Sequence, residues 1–420
     1  MDRSKGLHKW HMILPFVILS ILYLKNNIFQ YALFALFLVP MFFYIVQRKT
    51  ISLKYLYLIG FLVIQFLLSL VSSSISTSIK NSAQYILNIA PIILYDCSMK
   101  YLNEDDRFLC SKSFAKTSGI FFGYCLIASF IYAQTSIYAL RNLATVTVAT
   151  SGNSSLPLAI GGGYPLIFAL VILSPFLLFI ATKYPNKPLW KFGLIALVVF
   201  IEIFIVETNN TTSVLISLLG CLLVVLSGRK KDYTRWVIGL GGMVIIYLLT
   251  NPLILGNILD FIANLFDQNS IIRVRLSEIV PALYSSNTNS SFGLRLHGYQ
   301  KSWNSFISHP IEGVGIHSGY DYMALADHLG WHCEWLDMLA EFGLILASFY
   351  IAFLFCSYRE TYNSFKYTES KIIYRICGIL FIFMGFLDPI MNGNMVLTLF
   401  LVIPSVLNVL EHKKTKGRLK

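Results

Sequence analysis

Long apolar segments recur along nearly the whole chain of 420 residues, and they constrain its fold more than any other feature. Most run for roughly 17 to 25 residues, and a helix of that length, rising about 1.5 Å per residue, crosses the ~30 Å hydrocarbon core of a bilayer. Only 13% of the residues are charged, and the mean hydropathy is +0.66. The sequence therefore predicts an all-α, polytopic integral membrane protein. Alternating segments of about ten residues, as in a transmembrane β-barrel, are not visible.

We assign about twelve transmembrane helices to these segments. Their approximate ranges are 11–24, 28–46, 55–71, 82–99, 114–135, 163–182, 191–207, 211–227, 236–250, 333–356, 372–387 and 393–410. An even number of spans places both termini on the same side of the membrane.

The basic residues predict which side that is. The connections on the side opposite the termini hold only seven of the 33 lysines and arginines, namely Lys25, Lys80, Arg141, Arg273, Arg275, Arg295 and Lys301. By the positive-inside rule, both termini are then expected in the cytoplasm. The net charge of +12 reflects this topology together with attraction to membrane lipid, so nucleic acid is not expected as a partner.

The chain is expected to have three parts. Residues 1–250 contain helices 1 to 9, residues 251–332 form one large extracytoplasmic loop, and residues 333–420 contain helices 10 to 12 and a basic cytoplasmic tail. Within the loop, apolar side chains recur at helical spacing on an amphipathic segment from Leu294 to Ile307, which we expect to lie in the membrane interface. Arg295 would stand beside this apolar stripe, with its guanidinium available to the aqueous side.

Chemistry-bearing residues concentrate between Arg295 and Leu344, where five of the eight histidines lie. His328 and His332 are four residues apart, a spacing that could serve a metal on one helix. Gly330 lies between them and no third ligand has a motif spacing, so we expect neither a metal nor another cofactor. Further along, Glu341 is deep enough in its span to need a partner, and we expect an ion pair with an outer-loop arginine.

Acidic residues elsewhere have simpler interpretations. Asp96 lies at the end of a span and Glu202 lies within one. A carboxylate inside the membrane is costly in free energy. The Glu104–Asp106 run is expected to be a solvated loop, and Asp388 to serve in a turn, although it could line a cavity.

Two motifs carry a resemblance to a known family. The first is RLHGYQKSWNSFISHPIEGVG, in which Arg295 begins an amphipathic helix and Pro310 follows fifteen residues later, just before the GVG of residues 313–315. The second is WHCEWLDMLAEFGL, which contains His332 and the LAEFGL of residues 339–344. Both motifs are similar to those of the bacterial O-antigen ligase and polymerase superfamily. Tyr299 and Cys333 depart from the family's usual Trp and Asn.

This resemblance implies a metal-independent, inverting glycosyl transfer at the outer face of the bacterial cytoplasmic membrane. The donor would be an undecaprenyl-pyrophosphate-linked oligosaccharide. The resemblance also implies partners in the same pathway, a flippase and a chain-length regulator protein.

The residue types suit that chemistry. Arginine binds pyrophosphate through a planar fork of donors, and Arg295, Arg273, Arg275 and Arg141 are all of the arginines assigned to the outer face. His332 could accept a proton from the acceptor hydroxyl, because the ordinary pKa of histidine lies near ambient pH. We therefore expect His332 and Arg295 to be catalytic, and Arg273, Arg275, Arg141 and Glu341 to bind substrate.

Three functions remain open from the sequence. The favoured one is a polymerase of polysaccharide repeat units for O-antigen, capsule or exopolysaccharide, partly because IGGGYP at residues 160–165 resembles several such polymerases. The second is an O-antigen ligase that transfers the glycan to a lipid A core. The third is a lipid-linked-oligosaccharide flippase or other transporter, for which internal repeats are expected and none is visible.

Overall fold

The computed structural model describes most of the chain from residue 52 onward. The described residues are 52–99, 104–133, 163–184, 188–208, 210–227, 252–265, 273–274, 276–277, 291–318, 320, 322–391 and 393–417. They are 88% helical and contain no strand. The spans predicted at 11–24, 28–46 and 236–250 lie outside these ranges.

Helices are numbered here in chain order among the described residues. They are α1 (Leu53–Ser72), α2 (Ile75–Met99), α3 (Glu104–Ala133), α4 (Tyr164–Lys183), α5 (Pro188–Glu207), α6 (Thr211–Ser227), α7 (Pro252–Ala263), α8 (Ser291–Ser308), α9 (Gly315–Ser318), α10 (Tyr322–Leu325), α11 (Glu334–Ser364), α12 (Thr368–Leu387), α13 (Gly393–Leu397) and α14 (Ile403–Thr415). A π-helical turn, Thr398–Val402, joins α13 to α14 without interruption.

Seven helical segments of the described chain are long and apolar enough to cross a membrane. They are α1, α3, α4, α5, α11, α12 and the continuous segment from Asn394 to Thr415. The predicted all-α, polytopic membrane fold is thus confirmed, whereas the number of spans stays a prediction. Helix α6 is apolar but shorter, and α2 forms a 25-residue helix that is less apolar than these seven.

Helix α4 is one of the two most enclosed of these helices, together with the segment from Asn394 to Thr415. It is apolar on all sides, as a helix buried within a bundle should be, and it packs against α5, α6 and α12. Helix α5 by contrast leaves large apolar side chains such as Trp190 and Phe192 exposed, as expected of a surface that faces lipid.

One predicted boundary was wrong. The acidic run Glu104–Asp106 is the first turn of α3 and not a loop. Negative charge at a helix N-terminus is stabilised by the helix dipole. Glu104 and Asp105 also pair with Lys366 and Lys416, at 2.9 Å and 2.8 Å, which connects α3 to the C-terminal helices.

Both intramembrane carboxylates make contacts between helices. Asp96 on α2 pairs with the buried Lys54 of α1, which also lies 2.9 Å from Glu360 near the end of α11. Glu202 on α5 accepts a hydrogen bond from Ser217 on α6 at 2.6 Å. These contacts stabilise the packing of the bundle.

Helix α11 is broken at Gly343, which has φ 65° and ψ 177°. In an unbroken helix the N–H of Leu344 would donate to the carbonyl of Ala340. Here the loop after α8 replaces that bond, since Leu344 N–H donates to Pro310 O (2.8 Å) and Ala340 O accepts from Val314 N–H (2.9 Å). The backbone groups that the break would leave unpaired are therefore satisfied.

Glycines permit this close contact. A Cβ atom at Gly313, where φ is +72°, would lie 2.3 Å from the carbonyl oxygen of Glu341, and one at Gly343 would lie 2.2 Å from that of Ile311. No larger side chain fits either position without displacing backbone. The GVG and LAEFGL motifs, about thirty residues apart in sequence, thus form one structural unit.

Candidate functional site

Helix α8 spans Ser291–Ser308 and covers the predicted amphipathic segment. Its apolar stripe, including Leu296 and Trp303, is exposed, as expected for a helix in the membrane interface. Its inward face consists of small residues that let the backbone approach the start of α11. A Cβ at Gly298 would lie 3.3 Å from the Cα of Gly330, so the two chain segments touch there.

Hydrogen bonds fix α8 in this place. The hydroxyl of Ser302 donates to the Asp337 carboxylate and accepts from Gly330 N–H at 2.8 Å. One turn further on, the hydroxyl of Ser305 donates to His328 O at 2.8 Å. The face that carries Gly298, Ser302 and Ser305 is therefore held against the chain just before α11.

The guanidinium of Arg295 reaches from α8 to the ends of α6 and α12. Its Nη1 donates to Thr212 Oγ1 on α6 and to Leu387 O at the end of α12, both at 3.1 Å. Its Nη2 lies 3.4 Å from Oδ1 of Asp388. The side chain remains 26% exposed, so a ligand could still reach it. The guanidinium therefore stays partly accessible, as expected, while the carbonyl and carboxylate oxygens at the C-terminus of α12 hold it in place.

Asp388 is the buried carboxylate of this site. Burial raises its pKa to about 6, and the nearby Arg295 charge opposes that rise. Its second oxygen, Oδ2, is buried and has no hydrogen-bond partner among the described residues. The carboxylate of this ion pair is therefore incompletely satisfied among the described residues.

His332 lies next to this pair. Its ring is beside Gly298, where a Cβ would meet its Cδ2 atom at 2.8 Å, and Gly298 is one helical turn from Arg295. Burial lowers the pKa of His332 below its ordinary value, and the positive charge of Arg295 lowers it further. The imidazole is thus neutral at neutral pH, the form that accepts a proton.

Contacts from α11 and α8 hold the segment that carries Asp388. Glu334 accepts hydrogen bonds from the N–H groups of Ile390 (2.8 Å) and Met391 (3.0 Å). The hydroxyl of Tyr299 donates to Phe386 O at 3.1 Å, and burial raises its pKa to about 12. Tyr299 therefore stays protonated and acts as a donor.

An apolar groove of about 280 Å³ begins close to this site. It runs between α11, α12 and the π-helical segment, and its lining includes Trp335, Phe355, Tyr358, Ile382 and Phe400. The indole N–H of Trp335 donates to Ile382 O at 2.9 Å and so fixes the end of the groove next to Glu334. The start of α11 thus contributes Trp335 to the groove and Glu334 to the contacts that hold the segment after Asp388.

The other predicted site residues are more scattered. Arg273 donates to Asn264 just after α7 at 3.0 Å. Arg141 and Arg275 lie outside the described residues, so their roles remain predictions. Glu341 receives a hydrogen bond from the hydroxyl of Tyr85 on α2, and the arginine that pairs with a described carboxylate here is Arg295, with Asp388. The expected pair of Glu341 with an outer-loop arginine stays a prediction, because Arg141 and Arg275 lie outside the described residues.

Two participants were not assigned to the site from the sequence. Asp388 was interpreted mainly as a turn residue, and Thr212 was not singled out. The sequence signal that could have indicated Asp388 was a carboxylate next to a proline, directly after an apolar helix. Its partner lies 93 residues away along the chain, and sequence spacing alone does not predict that pairing.

The fold and site together define a polytopic membrane protein with a guanidinium, a carboxylate and an imidazole at one end of its helical bundle. Residues 195–351 match the family model described as O-antigen ligase. This segment includes α8, the GVG loop and the first half of α11. The predicted resemblance to the O-antigen ligase and polymerase superfamily is thereby confirmed, and the match supports an enzyme that acts on glycans. No curated protein matches the chain.

Proposed function

We propose that this protein is a glycosyltransferase that polymerises undecaprenyl-pyrophosphate-linked oligosaccharide repeat units at the outer face of the cytoplasmic membrane. The observation that carries this proposal is the pairing of Arg295 with Asp388 near His332, in a bundle whose helices α11 and α12 also line an apolar groove. A lipid-linked glycan has a charged pyrophosphate between a sugar and a long apolar chain. A site of this kind can bind the sugar, the pyrophosphate and the apolar chain.

Arg295 would stabilise the leaving group. Departure of polyprenyl pyrophosphate develops negative charge, and a fixed guanidinium stabilises that charge more strongly in a water-poor site than in water. In the described structure the guanidinium donates hydrogen bonds to Asp388 and to the carbonyl of Leu387. A pyrophosphate oxygen would replace Asp388 as the anionic partner of Arg295 when the donor binds. Arg273, Arg275 and Arg141 are proposed as further contacts to the phosphates.

His332 would act as the general base. An acceptor sugar hydroxyl attacks the anomeric carbon, the bond from that carbon to the phosphate oxygen breaks, and the hydroxyl proton passes to the imidazole. A single displacement of this kind inverts the anomeric configuration. The scheme needs no metal, because a guanidinium supplies the positive charge.

An O-antigen ligase is the second candidate, favoured by the description of the family that matches residues 195–351. It would use the same donor and the same residues. The two enzymes differ only in the acceptor, which is a second lipid-linked repeat unit for the polymerase and a lipid A core for the ligase.

Reconstitution tests both candidates together. The purified full-length protein in liposomes would be given synthetic undecaprenyl-pyrophosphate repeat units, with or without lipid A core, and the products separated by size. We expect a ladder of elongated lipid-linked glycan without the core, unaffected by chelator. Transfer only to the core would favour the ligase. Movement of the unit across the bilayer with no new glycosidic bond would overturn both in favour of a transporter.

The pH dependence of the transfer rate distinguishes His332 from Asp388 as the base. Because the pKa of His332 lies below its ordinary value of about 6.5, the rate should fall only as the pH decreases through a value below 6.5. In the Asp388→Asn variant the transfer rate should still fall in the same way at acidic pH, although the rate is lower at every pH. Loss of this fall in that variant would instead assign the proton transfer to Asp388, whose pKa of about 6 also suits a base.

A further inference from the structure

The far end of α8 carries a second group of chemistry-bearing side chains. His309 follows the last turn of α8, Glu312 lies in the turn after it, and His317 lies in α9. One ligand atom from each of the three lies within 4.8 Å of the other two. We propose that these residues bind a zinc ion that clamps the loop at residues 310–315 between α8 and α9.

The donor set fits zinc in type and spacing. Two imidazoles and one carboxylate are common zinc ligands, and with bonds of about 2.0–2.1 Å a tetrahedral site separates its donors by about 3.4 Å. His309 Nδ1 and Glu312 Oε1 are 3.2 Å apart, and the rings of His309 and His317 have centroids 4.4 Å apart. A shift of the His317 side chain within its exposed surroundings would complete the triad, with water in the fourth position.

The backbone that carries these ligands is fixed independently of any metal. Val314 N–H and Pro310 O are bonded to the break in α11, and Gly313 N–H donates to His309 O at 3.0 Å. The three side chains are therefore attached to a preorganised loop, so little ordering is required when a metal binds. Soft or borderline cations are expected to bind, whereas Mg²⁺ and Ca²⁺ prefer oxygen ligands.

This site is separate from the proposed glycosyl-transfer site. His309 is fourteen residues beyond Arg295, which corresponds to about 21 Å along a helix. The ion would not contact the donor or acceptor. Its effect would be to hold the GVG loop over the break in α11, and so to stabilise the fold.

Direct metal binding by the full-length protein tests the proposal. The protein would be purified in detergent with an affinity tag that contains no histidine, titrated with Zn²⁺ alone and analysed for retained metal after gel filtration. We expect one equivalent of Zn²⁺, little effect of Mg²⁺, and a rise in the unfolding temperature with Zn²⁺ concentration, because ligand binding to the native state stabilises it.

Variants localise the ion. His317→Gln, at an exposed position, and His309→Gln should each weaken Zn²⁺ binding by more than the roughly 10–100-fold that loss of an outer-shell partner costs. His297→Gln, also an exposed histidine of α8, is the matched control and should bind as the wild type does. Wild-type protein without saturable Zn²⁺ binding, or equal binding by all four proteins, would overturn the proposal. The measurement needs no glycan substrate, so its outcome is independent of the proposed function.

Discussion

Arg295→Ala is expected to lower the rate of polyprenyl-pyrophosphate release by about 10²–10³-fold, the range seen when one preorganised donor to a developing negative charge is removed. The reason is positional. The guanidinium is held at the C-terminus of α12 by Leu387 O and Asp388, and α12 also lines the groove that would accept the polyprenyl chain. Arg295→Lys should recover only part of the rate, because an ammonium cannot form the bidentate contact.

Two controls separate catalysis from folding in this experiment. Arg359→Ala, exposed near the opposite end of α11, should leave the rate unchanged. Arg295→Ala also leaves Asp388 buried without its cation, which by itself could destabilise the protein. Adding Asp388→Asn removes that unpaired charge and should restore the unfolding midpoint but not the rate. Recovery of the rate in the double variant would mean that Arg295 has a structural role only.

Gly313→Ala is expected to destabilise the protein by about 3 kcal/mol or more. A residue with a side chain at positive φ costs roughly 1–2 kcal/mol, and overpacking adds roughly 1–3 kcal/mol. At Gly313 both apply, since φ is +72° and the new Cβ would meet the carbonyl oxygen of Glu341 at 2.3 Å. The free energy of unfolding, measured by denaturant titration in detergent, would show the loss.

Gly119→Ala is the matched control for that measurement. Gly119 lies inside α3, and a Cβ there would have no atom within 4 Å. Alanine is the better helix former by about 1 kcal/mol, so this variant should be neutral or slightly more stable. If Gly313→Ala were as stable as Gly119→Ala, the contact between the GVG loop and the break in α11 would not be a determinant of the fold.

Apolar segment length predicted helices well where the chain is described. The ranges expected at 163–182 and 211–227 correspond within one residue to α4 and α6. Such helices form because a continuous apolar face is buried. The run of apolar residues that forms this face is visible in any window of the sequence. The start of α3 at Glu104 was missed because its polar first turn looks like a loop in composition, although acidic residues are favoured there.

The candidate site was only partly predictable. Two motifs indicated Arg295 and His332, and the structure places His332 against Gly298, one helical turn from Arg295, and Arg295 at the end of α12. The partners of these residues depend on packing between helices that are distant in sequence. That is why the pairing of Arg295 with Asp388, and of Glu341 with Tyr85, could not be derived from spacing. The break at Gly343 has the same origin, since a loop thirty residues earlier replaces its missing hydrogen bond.

Whether Arg295 and His332 act on one reacting centre can be measured with a double-mutant cycle. Initial rates of glycan transfer would be compared for the wild type, Arg295→Ala, His332→Ala and the double variant, all in the same liposomes. Groups that act together on one transition state are strongly non-additive. We expect the double variant to be about as slow as the slower single variant. Two effects that multiply independently, or full activity in either single variant, would contradict a shared site.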